Sequence, residues 1–112
     1  MRRLLACFMA TLLLLAGACS STTASGPVTI NVTIANGKVS PSGATYDVTK
    51  GAEVTINVTS DSKDTIHVHG YEIEKDVVPG QQTVITLIAD QTGRYEIETH
   101  IIEATIATLN VR

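Results

Sequence analysis

Sulfur is scarce in this sequence, and all of it lies near the N-terminus. The 112 residues contain two cysteines and two methionines, which are Met1, Cys7, Met9 and Cys19. From residue 20 onward the chain therefore cannot form a disulfide, and its stability must come from core packing. The same segment offers no thiolate or thioether, so any metal site within it must use nitrogen and oxygen ligands.

Aromatic residues are also few, and basic residues are outnumbered by acidic ones. There is no tryptophan, so the core must consist of valine, isoleucine and leucine together with Tyr46, Tyr71 and Tyr95. Beyond residue 18 the chain has six basic and eleven acidic residues, which gives a formal charge of −5. It therefore lacks the basic patch that nucleic-acid binding needs, and it is unsuited to tight docking on an anionic membrane surface.

The sequence also lacks the signatures of common enzymes. It has no Gly-x-Ser-x-Gly elbow, no phosphate-binding glycine loop and no nucleophilic cysteine after the N-terminal segment. Asp61 and Asp64 flank a turn, where aspartate commonly bonds the backbone, so we expect them to shape a loop. We predict that the protein is not an enzyme.

The first nineteen residues have the features of an export signal. Arg2 and Arg3 form a charged start, and residues 4–15 form an apolar run too short to span a bilayer comfortably. Small residues at 16–18 directly precede Cys19. This arrangement resembles a bacterial lipobox, in which the cysteine is acylated and becomes the new N-terminus, although Ala16 stands where the usual pattern has leucine.

The lipobox resemblance implies an extracytoplasmic protein that is anchored to a membrane of the cell envelope by lipid on Cys19. The alternative is an ordinary signal peptide, cut near Ala18 or Ala24. We predict a lipoprotein signal at 1–18, a flexible tether of small polar residues at 19–27 and one domain at 28–112. Contact with the membrane would come from the lipid alone.

From Val28 onward, apolar and polar residues alternate with a period of two, as in half-buried strands. Such runs occur at 28–34, 54–58, 66–73, 83–88, 95–101 and 106–111. Turn signals such as Asn36-Gly37 and Val78-Pro79-Gly80 separate them. The pattern predicts an all-β fold, an antiparallel Greek-key β-sandwich of about seven strands.

Three histidines are candidate metal ligands. His67 and His69 point to the same face of a strand, and two imidazoles spaced in this way can converge on one ion. His100 lies near the end of a later strand, Glu98 shares its face, and Glu103 follows in the next loop. Three histidines, or two with a carboxylate such as Glu98, suit Cu(II) or Zn(II).

The same histidines have a simpler interpretation. A His-x-His pair on a strand can face solvent, or it can bond backbone carbonyls at the edge of a sheet. Glu98 and Glu103, taken singly, are typical of solvated surface charges. A metal site requires that His67, His69 and His100 meet around one point at an end of the sandwich, so the geometry decides between the two interpretations.

Residues 28–112 resemble the cupredoxin-like family of exported bacterial proteins. The resemblance rests on the Asp64-x-x-His67-Val68-His69-Gly70-Tyr71 segment, the Val78-Pro79-Gly80 turn, the 93–98 strand Gly-Arg-Tyr-Glu-Ile-Glu and the terminal strand at 106–112. It implies a β-sandwich in which the Asp-x-x-His segment supplies the first copper ligand. His67 occupies that position.

The resemblance does not extend to the other ligands of a blue-copper site, which in the family are a cysteine, a histidine and a methionine after a Gly-x-Tyr strand. Here the cysteine position corresponds to Thr99, the methionine position falls near Thr105, and His100 lies off the expected spacing. A hydroxyl cannot replace the thiolate that blue-copper electron transfer requires. The remaining site would consist of nitrogen and oxygen ligands.

These observations favour two functions. The first is an envelope-tethered protein that binds a divalent metal, copper first and zinc second, for storage, delivery or sensing. The second is a metal-free β-sandwich that serves as an interaction module for an envelope protein partner. The three histidines favour the first function, and the lack of cysteine and methionine in the domain favours the second.

Overall fold

The computed structural model describes residues 26–112, which form nine strands. They are β1 (Val28–Ala35), β2 (Lys38–Ser40), β3 (Ala44–Val48), β4 (Glu53–Ser60), β5 (Asp64–Val68), β6 (Ile73–Val77), β7 (Thr83–Ile88), β8 (Gly93–Thr99) and β9 (Thr105–Val111). The predicted signal, Cys19 and most of the predicted tether lie outside the described residues. Within 26–112, no helix is long and apolar enough to cross a membrane.

Alternating side chains explain why these segments are strands with a common core. In β4, Val54, Ile56 and Val58 are fully buried, whereas Thr55 and Asn57 between them are not. Branched aliphatic side chains fit the pleated surface of a strand and have few rotamers to lose on burial. The core is aliphatic throughout, and the three tyrosines pack against it from partly buried positions, as predicted.

The strands form two sheets, with the orders β2-β1-β4-β7 and β3-β9-β8-β5-β6. The predicted all-β sandwich is therefore confirmed. Two pairings differ from the antiparallel arrangement that we predicted, because β1 is parallel to β4 and β3 is parallel to β9. Parallel neighbours are joined through crossovers rather than hairpins, and alternation in a sequence carries no information about strand direction.

Strands β2 and β3, and all of β6 except Ile73, lie outside the predicted runs, and the predicted 66–73 strand is wrong, because β5 ends at Val68 and a turn at 69–72 leads into β6. The segment between β1 and β4 contains two of these three strands. The Pro41-Ser42-Gly43 turn divides this segment into β2 and β3. Strand β2 pairs with β1 in the four-stranded sheet, whereas β3 pairs with β9 in the five-stranded sheet. The chain therefore crosses between the sheets at the turn, and each sheet gains an edge strand.

Candidate metal centre

Strand β5 carries His67 on the outer face of the five-stranded sheet. Ile66 and Val68, on either side of it, are fully buried, so alternation turns His67 away from the core. Its side chain is nevertheless only 14% exposed, because its neighbours on the sheet cover it. His69 follows directly after β5, and its ring centroid lies 4.0 Å from that of His67.

Acidic residues flank His67 on both neighbouring strands. Glu74 of β6 and Glu98 of β8 are its register partners, so the three side chains form a row across the sheet. Residues directly opposite each other in antiparallel strands have Cβ atoms ~4.5–5.5 Å apart, within reach of long side chains. Glu72 approaches from the β5–β6 turn, where its Oε2 lies 3.6 Å from Nε2 of His67.

His100 reaches the same face from the end of β8. Its backbone N–H donates to the carbonyl of Thr65 over 3.0 Å, which holds this part of the chain beside β5. Its ring centroid lies 5.3 Å from that of His67, and the two rings are nearly perpendicular, at 84°. Nε2 of His100 is 4.0 Å from Oε1 of Glu74.

A buried carboxylate fixes the loop that carries His100. Asp64 is 3% exposed, and its Oδ1 accepts hydrogen bonds from the N–H groups of His100 at 3.0 Å and Ile101 at 2.9 Å. The N–H of Thr65 donates to the same oxygen over 2.7 Å, and that of Ile102 donates to Oδ2 over 3.4 Å. Asp64 therefore orients His100 from the inner side of β5.

These contacts bring three ligands within range of one ion. Ligand atoms of His67, Glu74 and His100 all lie within 4.8 Å of one another. In a tetrahedral zinc centre with bonds of ~2.0–2.1 Å, ligand atoms lie about 3.3 Å apart. Rotations that bring the three atoms up to about 1.5 Å closer together would therefore be needed to close them around a metal.

His69 has a carboxylate partner of its own. Its Nε2 lies 2.8 Å from Oε2 of Glu98. This hydrogen bond lowers the pKa of Glu98 below its ordinary value, and the nearby charges of His69 and His67, when protonated, act in the same direction. Glu98 is therefore held as a carboxylate, the form that binds a cation.

The structure places the predicted ligands on one surface, although not the surface that we expected. The predicted ligands were His67, His69, His100 and Glu98, and all four lie on the outer face of the five-stranded sheet. We expected them at an end of the sandwich, where strands terminate. They lie on the face instead because β5 is an interior strand, with β6 on one side and β8 on the other. Their roles as ligands stay a prediction.

Sequence reasoning missed Glu74. The available signal was the Glu72-x-Glu74-x-Asp76 alternation, which places acidic groups on one face of a strand. It could not show that this strand pairs with β5, which is what brings Glu74 to His67. Glu103, named as a further donor, lines a surface depression together with Glu98, Thr99 and His100.

Comparison with protein families matches residues 6–109 to the cupredoxin-like domain. The chain belongs to the cupredoxin-like family. The resemblance predicted from the Asp-x-x-His segment and the terminal strands is thereby confirmed. A search of curated proteins found no match for this sequence.

Solved structures share the fold of this cupredoxin-like chain at low sequence identity. A copper binding protein, solved in its apo form by NMR, is 16% identical over 75% of this chain and 86% of its own, with a TM-score of 0.60. Fet3p, a multicopper oxidase that functions in iron import, is 16% identical over 75% of this chain, with a TM-score of 0.60. The copper nitrite reductase from Nitrosomonas europaea is 15% identical over 76%, with a TM-score of 0.59. The matched region spans 23% of the Fet3p chain and 41% of the reductase chain.

A blue-copper site does not fit this cupredoxin-like domain. Thr99, which the resemblance places at the cysteine position, is 2% exposed and is the register partner of the buried Ile66, whereas His67 faces outward. The Thr99 hydroxyl accepts the N–H of Ala104 at 3.0 Å and donates to the carbonyl of Ala104 at 3.4 Å. Thr99 therefore holds the two ends of the β8–β9 loop together. Its side chain lies on the inner face of the sheet, opposite to the face that carries the histidines.

We expect that Thr99→Cys will not create a blue-copper centre, because the new thiol would face the core while the histidines face solvent. The variant is made in a full chain that also carries Cys7→Ser and Cys19→Ser, so that no other thiol can bind copper. On titration with Cu(II), its visible spectrum should match that of the Thr99 parent. An intense thiolate–copper absorption band would contradict the assignment of residue 99 and the histidines to opposite faces.

Proposed function

We propose that this cupredoxin-like domain binds a divalent metal on the outer face of its five-stranded sheet, through His67, Glu74 and His100. The observation that carries the proposal is the convergence of these three side chains from three separate parts of the chain to within 4.8 Å. A pair of histidines close together in sequence often lies on a protein surface without binding a metal. A third imidazole and a carboxylate from other segments come close only because the fold brings them together.

The ligand chemistry supports copper first and zinc second. Imidazole nitrogen and carboxylate oxygen suit Cu(II) and Zn(II), and Cu(II) binds most tightly among the divalent first-row metals at sites of this kind. The domain has no sulfur to favour Cu(I). The likeness in fold to a copper binding protein and a copper nitrite reductase supports the same order of preference.

The electrostatic environment also supports cation binding. Carboxylates of β6, of β8 and of the turn before β6 lie on the same side of the sheet as His67, namely Glu72, Glu74, Asp76, Glu96 and Glu98. A surface with this excess of negative charge raises the local concentration of cations and speeds their arrival. The face would attract a divalent ion before any ligand bond forms.

We further propose that the domain acts outside the cytoplasm, held to a membrane by lipid on Cys19, and that it stores, delivers or senses the metal without catalysing a reaction. The lipobox-like sequence before Cys19 and the polar residues after it support the anchor. Exchange of the metal with a partner is supported by the exposure of the outer face of the five-stranded sheet, since the side chains of His69 and His100 are both partly exposed there.

Metal affinity tests the proposal directly. The full chain carrying Cys7→Ser and Cys19→Ser is purified in detergent and titrated with Cu(II) and Zn(II) by calorimetry. His67→Ala and His100→Ala should each weaken binding at least tenfold, which corresponds to about 1.4 kcal/mol. The matched control is Glu53→Gln, which removes an exposed carboxylate from the four-stranded sheet and should leave the affinity unchanged.

A peptide spanning residues 64–71 provides the reference for binding without a fold, since it contains His67 and His69 but not His100 or Glu74. The domain should bind the metal at least tenfold more tightly than this peptide. Equal affinities, or histidine variants that bind as well as the parent, would contradict the proposal.

A metal-free interaction module is the second candidate, and one observation favours it. Ile101 is 68% exposed and Val78 46% exposed, and both line a single surface depression with Lys63 and Asp76. Exposed aliphatic side chains grouped in this way are typical of contact surfaces. If the titrations show no binding above that of the peptide, this function is the one that remains.

A further inference from the structure

The three ligands of the proposed site leave the coordination of a metal incomplete. Within residues 26–112, His67, Glu74 and His100 are the group whose ligand atoms come within 4.8 Å of one another. Structural Zn(II) sites have four protein ligands, and an ion with three keeps an open position. The sheet and its core lie beneath these side chains, so the open position faces away from the domain. In this geometry the fourth ligand comes from outside the chain, either as water or as a group of another molecule.

His69 is a histidine on the same face that the three-ligand group does not use. Its side chain is 45% exposed, and its ring centroid lies 4.0 Å from that of His67. Nε2 of His69 lies 2.8 Å from Oε2 of Glu98, so Nδ1 is the ring nitrogen that can bind a metal. Metal-binding histidines commonly have a carboxylate at the other ring nitrogen, which fixes the ring and makes it more basic. The face therefore carries an oriented imidazole beside a site that lacks one ligand.

We propose that the metal joins two copies of this chain face to face, and that His69 of each copy completes the site of the other. This inference rests on the proposed function, because it assumes that His67, Glu74 and His100 bind the ion. In a dimer with two-fold symmetry, the same surface serves both subunits, so what the surface offers must match what it needs. The outer face of the five-stranded sheet meets this condition, since it carries both the open position and a donor that can fill it.

The charge on this face makes the pairing depend on the metal. Five carboxylates lie on it, namely Glu72, Glu74, Asp76, Glu96 and Glu98. Like charges repel, and they repel more strongly where water is excluded, so two metal-free faces should stay apart. One divalent ion in each site adds four positive charges to the paired faces and offsets much of this repulsion.

Exposed aliphatic side chains lie beside the histidines, where the second copy would pack. Ile101 directly follows His100 and is 68% exposed, and Val78 is 46% exposed. Both line the depression that also contains Lys63 and Asp76. Removal of this apolar surface from water would stabilise the dimer. Because the depression carries an amine as well as a carboxylate, Lys63 of one copy can pair with Asp76 of the other.

Counting chains and ions together tests this inference. The full chain carrying Cys7→Ser and Cys19→Ser is analysed by native mass spectrometry, with detergent removed in the gas phase, before and after Zn(II) is added. It should be monomeric without metal, and one equivalent of Zn(II) per chain should give a dimer that holds two ions. EDTA should reverse the change. His69→Ala should still bind one ion per chain, but its dimer dissociation constant, measured by dilution, should rise at least tenfold.

Ile101→Asp tests the contact surface, since it should also keep the ion and weaken the dimer at least tenfold. The matched control is Ile88→Asp, which changes an isoleucine that is 51% exposed on the four-stranded sheet and should dimerise like the parent. A parent that stays monomeric with one ion, a dimer that forms without metal, or a dimer that either His69→Ala or Ile101→Asp leaves unchanged would overturn the inference and leave the proposed function intact. A parent that binds no ion would overturn the proposed function itself.

Discussion

Replacing Asp64 with alanine is expected to lower the free energy of unfolding by about 3 kcal/mol or more, since hydrogen bonds to a charged group contribute roughly 1.5–3 kcal/mol each. The Asp64 carboxylate is buried and accepts N–H groups from Thr65, His100, Ile101 and Ile102. Alanine would leave several of these donors without a partner. Chemical denaturation of the full chain in detergent measures the change.

The same substitution should also weaken metal binding at least tenfold, because His100 depends on Asp64 for its position although the carboxylate itself does not face the ion. Asp64→Asn should be milder in both respects, since its amide oxygen can take the place of Oδ1, which accepts three of the four bonds. The matched control is Asp61→Ala. Asp61 lies in the loop directly before β5 and is exposed, and it accepts a single backbone bond, from Asn36 at 2.9 Å.

Asp61→Ala should therefore destabilise the protein by no more than about 1 kcal/mol. Comparable losses of stability for Asp61→Ala and Asp64→Ala would show that the carboxylate does not organise the 100–102 loop. Full metal affinity in a folded Asp64→Ala protein would show that metal binding does not depend on the position of that loop.

Replacing Gly70 with alanine is expected to destabilise the protein by about 3 kcal/mol, from two separate causes. Gly70 has a φ of +80°, and the left-handed conformation costs a residue with a Cβ roughly 1–2 kcal/mol. The added methyl group would also overlap the Tyr95 ring, at 2.5 Å from Cε1 and closer still to Cδ1. Overpacking of this kind typically costs a further ~1–3 kcal/mol.

A second glycine separates these two causes. Gly37 has a similar φ of +72°, but nothing lies within 4 Å of the position that a Cβ would occupy. Gly37→Ala should therefore show the conformational cost alone, about 1–2 kcal/mol. The effect of Gly70→Ala should shrink in a Tyr95→Ala background, and a double-mutant cycle measures this coupling. Equal effects at Gly70 and Gly37 would contradict the contact with Tyr95.

Most of the strands were predictable from the sequence, although β2, β3 and β6 were not. In the 28–34 and 54–58 runs, every second residue is a branched aliphatic, and burial of that set against the core specifies both the strand and its inward face. Pairing partners were not predictable, because alternation is the same whether two strands run parallel or antiparallel. The parallel alignment of β1 with β4 depends on a crossover through the other sheet.

In the candidate site, too, relations within one segment were predictable and contacts between paired strands were not. The period of two was enough to place His67 and His69 on one face, because His67 lies in β5 and His69 is the residue directly after that strand. The proximity of His100 was inferred from its place near a strand end, and the structure adds the reason, which is the set of hydrogen bonds that the 100–102 backbone donates to the Asp64 carboxylate. Glu74 could not be assigned from sequence, since its contact with His67 requires the register of β5 against β6.

The histidines lie on the outer face of the five-stranded sheet, and the inward side chains of β5 and β8 form the core. This position has a consequence for the kinetics of metal exchange. An ion held by His67, Glu74 and His100 would lie on the outer face, where Glu74 and His100 are well exposed although His67 is mostly covered, so its arrival and departure need no opening of the sheets. Rotamer changes of exposed side chains take picoseconds to nanoseconds, far faster than opening of a backbone ladder. Exchange at this surface would then be limited by the breaking of ligand bonds rather than by motion of the protein.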